Sequence, residues 1–167
     1  LTTNSAQQAR RGIWDPAHCG PIEQPDAQLK VTVSWDAPGQ DNQNLNGEFV
    51  VVRNTGTVPV DLSGWLLRDS SLTSWYYYPA GSVLAPGDYY VMHVGSGTAG
   101  KPDSHDRYIG STEPLFPNPQ PGQFLGDGAY LLDKKTNMRF YDEYPCAVDC
   151  NTDPLIGAVK LVGVNAR

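Results

Sequence analysis

The stretch from Asp36 to Glu48, Asp-Ala-Pro-Gly-Gln-Asp-Asn-Gln-Asn-Leu-Asn-Gly-Glu, gathers hard oxygen donors more densely than any other part of the chain. It offers carboxylates at Asp36, Asp41 and Glu48 and amide oxygens at Asn42, Asn44 and Asn46. Calcium takes six to eight such oxygens, and glycines let a loop bend its ligands around the ion. Asp36, Asp41, Asn44, Asn46 and Glu48 are therefore the candidate calcium ligands. No cofactor is required on this reading, and calcium is the one ion the loop suits. The spacing is not that of an EF-hand, because Pro38 and Gly39 stand where ligands would be needed. The competing reading is a turn-rich loop whose Asn and Asp side chains cap their own backbone.

A second candidate is the aromatic run Trp75-Tyr76-Tyr77-Tyr78. In a strand, Trp75 and Tyr77 face one side and Tyr76 and Tyr78 the other. One pair must enter the core. The other forms an exposed platform for a sugar ring or a partner protein, since amphipathic aromatics suit such surfaces. Burial of both pairs, one of them under a neighbouring loop, is the alternative.

Catalytic constellations are not apparent. Asp36, Glu48, Asp69, Asp127 and Glu143 could be paired on paper as glycosidase carboxylates, but no spacing selects two of them. There is no G-x-S-x-G elbow, and Gly95-Ser-Gly97 follows a strand without leading into a helix. His93 falls inside an apolar strand, where packing or hydrogen bonding is its expected role. His18, His93 and His105 are scattered. Cys146-Ala-Val-Asp-Cys150 lacks the spacing of zinc or redox pairs. The expected use of Cys146 and Cys150 is a small disulfide, contributing about 2 kcal/mol on the chain-entropy model. A bridge from Cys19 to either would close a far longer loop, of about 5 kcal/mol on the same model. Three thiols cannot all pair within one chain, and a disulfide implies an oxidising, extracytoplasmic setting.

The elements that must position these groups are strands. The chain has 167 residues, 40% hydrophobic but only 18% charged, with 17 Gly and 14 Pro. Such a composition suits a turn-rich, all-β domain large enough to bury its own core. A net charge of −6 disfavours nucleic acid as a partner of this chain alone, since phosphate binding needs clustered Lys and Arg. Arg10-Arg11 and Lys134-Lys135 are the only basic pairs. No apolar window is long enough to span a membrane. The polar start Leu1-Thr-Thr-Asn-Ser5 is no signal peptide, and a start without Met fits a mature fragment or excised domain.

Alternation of apolar and polar residues, bounded by turn signals, predicts strands over 29–35, 48–54, 58–62, 65–69, 75–78, 88–94, 129–133, 138–142 and 158–164. Pro59 suits an edge. Pro86-Gly87 has type II turn chemistry, and 134–137 forms a hairpin turn. Residues 4–12 favour a short helix capped by Asn4 or Ser5, with Gly12 at C′. The breaker-rich segment 13–21 reads as a loop. Residues 95–123 are Gly-, Pro- and Ser-rich, with a brief apolar patch at Tyr108-Ile109. A connection this long is either an ordered insertion packed on the domain or a mobile loop.

The order Asn44-Leu-Asn-Gly-Glu-Phe-Val-Val-Val-Arg-Asn-Thr-Gly56, then Asp61-Leu-Ser-Gly-Trp65, then Leu84-Ala-Pro-Gly87 resembles the lamin tail domain. The resemblance covers about residues 29–142. It implies an immunoglobulin-like β-sandwich, here with a short N-terminal helix and a long loop insertion: residues 1–26 as helix and linker, 27–167 as the sandwich, with the insertion at 95–123. With Trp14 and Cys19 ahead and Tyr144-Pro-Cys146 behind, the pattern is similar to lamin-tail modules of secreted actinobacterial proteins. Ala6-Gln-Gln-Ala-Arg-Arg-Gly-Ile-Trp14 also resembles the closing helix of staphylococcal-nuclease-like domains. Residues 1–26 would then be the end of a preceding domain, unless they are a linker helix packing its Trp on the sandwich. The function these resemblances imply is a non-catalytic accessory or interaction module of a larger extracellular protein, binding a protein or cell-surface partner. The alternatives are the C-terminal portion of a secreted nuclease, inactive alone, and a carbohydrate-binding module. No residue role is carried over from either family.

Overall fold

The computed structural model describes residues 3–99, 104–119, 126–146 and 150–156, with the backbone alone for Thr3, Asn4, Gln7, His18 and Cys19. The expected strand at 158–164 lies outside the described residues, as does the Cys19 thiol.

Among the described residues ten strands form: β1 (Leu29–Ser34), β2 (Phe49–Asn54), β3 (Val60–Asp61), β4 (Leu66–Arg68), β5 (Trp75–Tyr77), β6 (Val83–Leu84), β7 (Tyr89–His93), β8 (Asp106–Tyr108), β9 (Gly128–Leu132) and β10 (Met138–Glu143). They make two four-stranded sheets, ordered β1-β2-β7-β8 and β10-β9-β4-β5, and a ribbon of β3 with β6. All pairings are antiparallel except β7 with β8. This is the all-β, immunoglobulin-like sandwich expected from the sequence.

Period-two alternation sends one set of side chains from each sheet into a common core. Leu29, Val31 and Val33 of β1, Val50 and Val52 of β2, and Tyr90 and Met92 of β7 meet Leu67, Ala129 and Leu131 of the other sheet. Each fully buried aliphatic or aromatic chain contributes about 1.5–3 kcal/mol. Trp35 stacks on Tyr144 with ring centroids 5.3 Å apart, filling one end of the core. The sheets are stitched where β1 runs beside β10, because the buried Val33 N–H donates to Asp142 Oδ2 at 2.8 Å. Burial pushes that carboxyl up to about 6, opposed by this bond and others.

The residues that carried the resemblance are its corners. Ser63 N–H donates to Asp61 Oδ1 at 2.8 Å, Gly64 takes φ +74, and Gly64 N–H reaches Tyr78 O at 2.7 Å, which turns Trp65 fully inward. Only glycine adopts that backbone without strain. Asn54, fully buried, donates to Val58 O and Leu84 O and accepts from Gly56 N–H. The type II turn is confirmed by Asp88 N–H to Ala85 O at 3.0 Å with Gly87 at φ +82.

Two local expectations change. The first helix, α1 (Thr3–Gln8), ends before Gly12, with Arg10 at φ +48. The segment expected as loop contains a short helix, α2 (Pro16–Cys19), because Asp15 accepts from Ala17 N–H at 2.9 Å and Pro16 sits at its start. Within 95–123, the described residues 104–119 pack on the sandwich. The Tyr108 patch belongs to β8, and Phe116 drops into the core.

Candidate functional site

Among the described residues β5 is the outer member of its sheet, and its parity sorts the four aromatics. Tyr78 is 1% exposed and lies edge-on to Tyr76, which packs against the core. Trp75 is 53% exposed and Tyr77 61%. The alternative of two buried pairs does not occur. Cross-strand register extends the outward pair into a row, since directly opposed residues share a face. Trp75 is opposite Arg68, Arg68 opposite Tyr130, and Tyr130 opposite Tyr141. The Arg68 guanidinium lies over the Tyr130 ring at 4.9 Å, and Tyr130 and Tyr141 are stacked at 6.4 Å. Trp14, from the N-terminal segment, covers the far end against Tyr141 at 6.1 Å. That contact ties the N-terminal segment onto the sandwich. The Tyr130 hydroxyl donates to Glu143 Oε1 at 3.0 Å, and burial with this carboxylate neighbour raises its pKa.

The β4–β5 hairpin tip adds one more apolar group. Leu72 is 60% exposed and has φ +63, a left-handed backbone unusual for a leucine. A chain of hydroxyls holds it there: Ser71 Oγ donates to Asp69 Oδ2 at 2.5 Å and contacts Thr73 Oγ1 at 2.6 Å.

The acidic loop is tied down by its own side chains. Asp36 is exposed. Asn44 donates to Pro38 O at 3.2 Å and Asn46 to Ser96 O at 3.0 Å, so both amides tie down the loop. Asp41 Oδ2 accepts from Asn118 at 3.0 Å. Glu48 is fully buried at the head of β2, where Oε2 accepts from Leu115 N–H at 2.9 Å and Phe116 N–H at 3.2 Å. Among the described residues no three His, Cys, Asp or Glu side chains converge. Asp41 and Glu48 remain electrostatically coupled, and each keeps one buried oxygen without a hydrogen-bond partner among the described residues. Burial, reinforced by the Asp41 charge and opposed by the two N–H bonds, pushes the Glu48 carboxyl up to about 7. Glu48 therefore anchors the insertion.

His93 is held by its surroundings, with Nδ1 3.1 Å from Asn46 O, Nε2 3.1 Å from Asp106 Oδ1, and its ring stacked on Tyr108. Cys146 and Cys150 form the expected disulfide, with Cα atoms 5.4 Å apart. No helix among the described residues is long and apolar enough to cross a membrane.

A family model described as Lamin Tail Domain matches residues 24–144. The chain belongs to the lamin tail domain family. These are immunoglobulin-like, non-enzymatic modules. No curated protein matches the chain. The match includes neither Trp14 nor the Cys146–Cys150 bridge. Sequence reasoning had selected Trp75, Tyr76, Tyr77 and Tyr78 together, without saying which pair faced out, and had not selected Arg68, Tyr130 and Tyr141. Pairing parity across β4, β9 and β10 is the signal that links them, and it requires knowing the sheet order.

Proposed function

We propose that this lamin tail domain is a non-catalytic interaction module of an extracellular protein, docking a protein or cell-surface partner through the outward face of β5, β4 and β9. The observation that carries this reading is the exposed pair Trp75 and Tyr77, continued inward by Arg68 and Tyr130. Trp, Tyr and Arg dominate the energetics of protein interfaces, because they combine large apolar area with a polar handle. An isolated domain leaves such rings in water at a loss of about 25 cal/mol per Å² of apolar surface relative to burial. The Cys146–Cys150 bridge supports an oxidising location.

The test is retention of the fluorescently tagged chain on an extracellular envelope or matrix fraction, compared with Trp75→Ala/Tyr77→Ala. Retention by the parent and release of the double variant supports the reading. Equal retention of both would remove this face from the function. The same ring pair also supports a carbohydrate-binding reading, because planar rings stack on sugar faces. Retention on purified insoluble polysaccharide, lost in Trp75→Ala, would favour that reading over a protein partner.

A further inference from the structure

We infer that the Cys146–Cys150 bridge is a redox-operated clasp: its reduction by a dithiol frees the segment 151–156, which straps the two sheets of the sandwich together.

The strap crosses the sandwich at a seam. Among the described residues β1 and β10 end their sheets and lie side by side without a backbone ladder between them. On the β10 side, the Asn151 amide donates to Tyr141 O at 3.0 Å, and the Asn151 side chain also bonds the Asp142 carboxylate. Two residues on, Asp153 has reached past β1 to Arg53 of β2. Its Oδ2 accepts from Arg53 Nε at 2.7 Å and its Oδ1 from Nη2 at 3.0 Å. A two-point carboxylate–guanidinium pair of this kind fixes orientation as well as position. Lys30 of β1 adds a further favourable charge to Asp142 and Asp153. The bridge stands between the end of β10 and Asn151, so it sets where the strap begins.

The sandwich does not need the strap to fill its core. Among the described residues the core cluster ends at Tyr144. Arg53 keeps other partners when the strap leaves, since Nη1 donates to Gly87 O at 3.2 Å and the guanidinium lies over the Tyr89 ring at 4.5 Å. Asp142 keeps the bond from Val33 N–H. Asp153, 2% exposed in place, is hydrated as it departs. Proximity therefore decides whether the strap is docked. With the ring closed, the chain after Cys150 starts close to its partners. With the ring open, residues 144–150 become an unbridged connection, and its closure entropy opposes the same few bonds. Cys146 and Cys150 are both partly exposed, and exposed bridges are the ones that reductants reach.

The step is thiol–disulfide exchange. A thiolate of the dithiol attacks one sulfur of the bridge, the S–S bond breaks, and the other cysteine leaves as a thiolate that takes up a proton. The second thiolate of the dithiol then displaces the first cysteine from the mixed disulfide. Cys146 and Cys150 together gain two electrons and two protons, and the dithiol ends as a disulfide.

The experiment follows the ¹⁵N-labelled full chain by NMR before and after dithiothreitol, with the bridge counted by thiol alkylation and mass. Reduction is expected to move the Arg53 Nε–Hε signal and to speed amide exchange at Leu155 and Ile156 by about tenfold or more. Amides of β2 and β9 should change by less than about twofold, and reoxidation should restore the starting spectrum. Asp153→Ala with the bridge intact should move the same Arg53 signal. Cys146→Ser/Cys150→Ser should match the reduced parent and ignore the reductant. A bridge that dithiothreitol leaves intact in the folded chain overturns the clasp. So does an Arg53 signal indifferent to reduction or to Asp153→Ala. Acceleration of the β2 and β9 amides in step with Leu155 would make the bridge a prop of the whole fold instead, and overturns it too. A double serine variant that still responds to dithiothreitol would assign the effect to Cys19 and end the proposal.

Discussion

Glu48→Gln isolates the energetic consequence of burying an acid at the head of β2. The carboxyl is fully buried and pushed up to about 7 from an ordinary value of 4.5. Between those two pH values the folded chain holds a proton that the unfolded chain has released. Stability therefore falls as pH rises through this window and is level again above it. A difference of roughly 2.5 units corresponds to about 3 kcal/mol, at 1.36 kcal/mol per unit. Glutamine keeps an oxygen for the Leu115 and Phe116 N–H groups but cannot ionise. At pH 8 it escapes that penalty and loses part of the charge-assisted strength of the two bonds, leaving a net gain of about 1–2 kcal/mol. At pH 4.5 or below, where the native glutamic acid is neutral, the two proteins should match to within about 0.5 kcal/mol. The assay is urea unfolding at pH 4.5, 5.5, 7 and 8 with m-values compared, so that a change in midpoint can be read as stability. Asp142, with its carboxyl pushed up to about 6, adds a slope of the same sign to both proteins and cancels in the difference. Parallel profiles for parent and variant, or a variant less stable at pH 8, would refute the reasoning.

Three further outcomes follow from the packing. Phe116→Ala removes the ring that plugs the core from within the insertion; it should lower stability by about 3–5 kcal/mol and accelerate amide exchange at Leu115 and Ile109, measured by hydrogen exchange. Asn54→Ala breaks two donated bonds and one accepted bond at a fully buried site, and thermal unfolding should show a loss of about 2–3 kcal/mol, or roughly 5–10 °C in Tm for a chain of this size. Millimolar calcium should move Tm by less than about 1 °C, because among the described residues no three carboxylate, imidazole or thiol groups converge on one point; a larger shift, reversed by chelation, would show that the loop binds cations.

The sandwich was legible because its signals are local. Alternation marked β1, β2, β7, β9 and β10, and the Ser63-Gly64 and Pro86-Gly87 corners use backbone shapes that few residues adopt. Strand β8 was not legible: three residues within a Gly-, Ser- and Pro-rich stretch gain their strand geometry from pairing with β7. Helix α2 escaped for a related reason, since its signal is one Asp-Pro cap inside a breaker-rich run. At the candidate site, the sequence could split Trp75-Tyr-Tyr-Tyr78 into two faces but could not say which faced water. That depended on the register of β5 against β4, which sets Tyr76 level with buried Leu67. Glu48 was grouped with the candidate loop ligands because a carboxylate beside Asn and Gly reads that way, and its full burial could not be read from the sequence. Its partners, the Leu115 and Phe116 N–H groups, lie more than sixty residues away.

Trp14 rests on Tyr141 at one margin of the second sheet, and Trp75 stands on the opposite margin, three strand intervals away, or about 14 Å. The sheet between them is a ruler. Hydrogen bonds fix its graduations, so whatever seats on β5 is held at a set offset from the point where the N-terminal segment lands. Lengthening or shortening the chain ahead of Trp14 would leave that offset untouched, whereas freeing Trp14 from Tyr141 would replace a measured separation with a slack one.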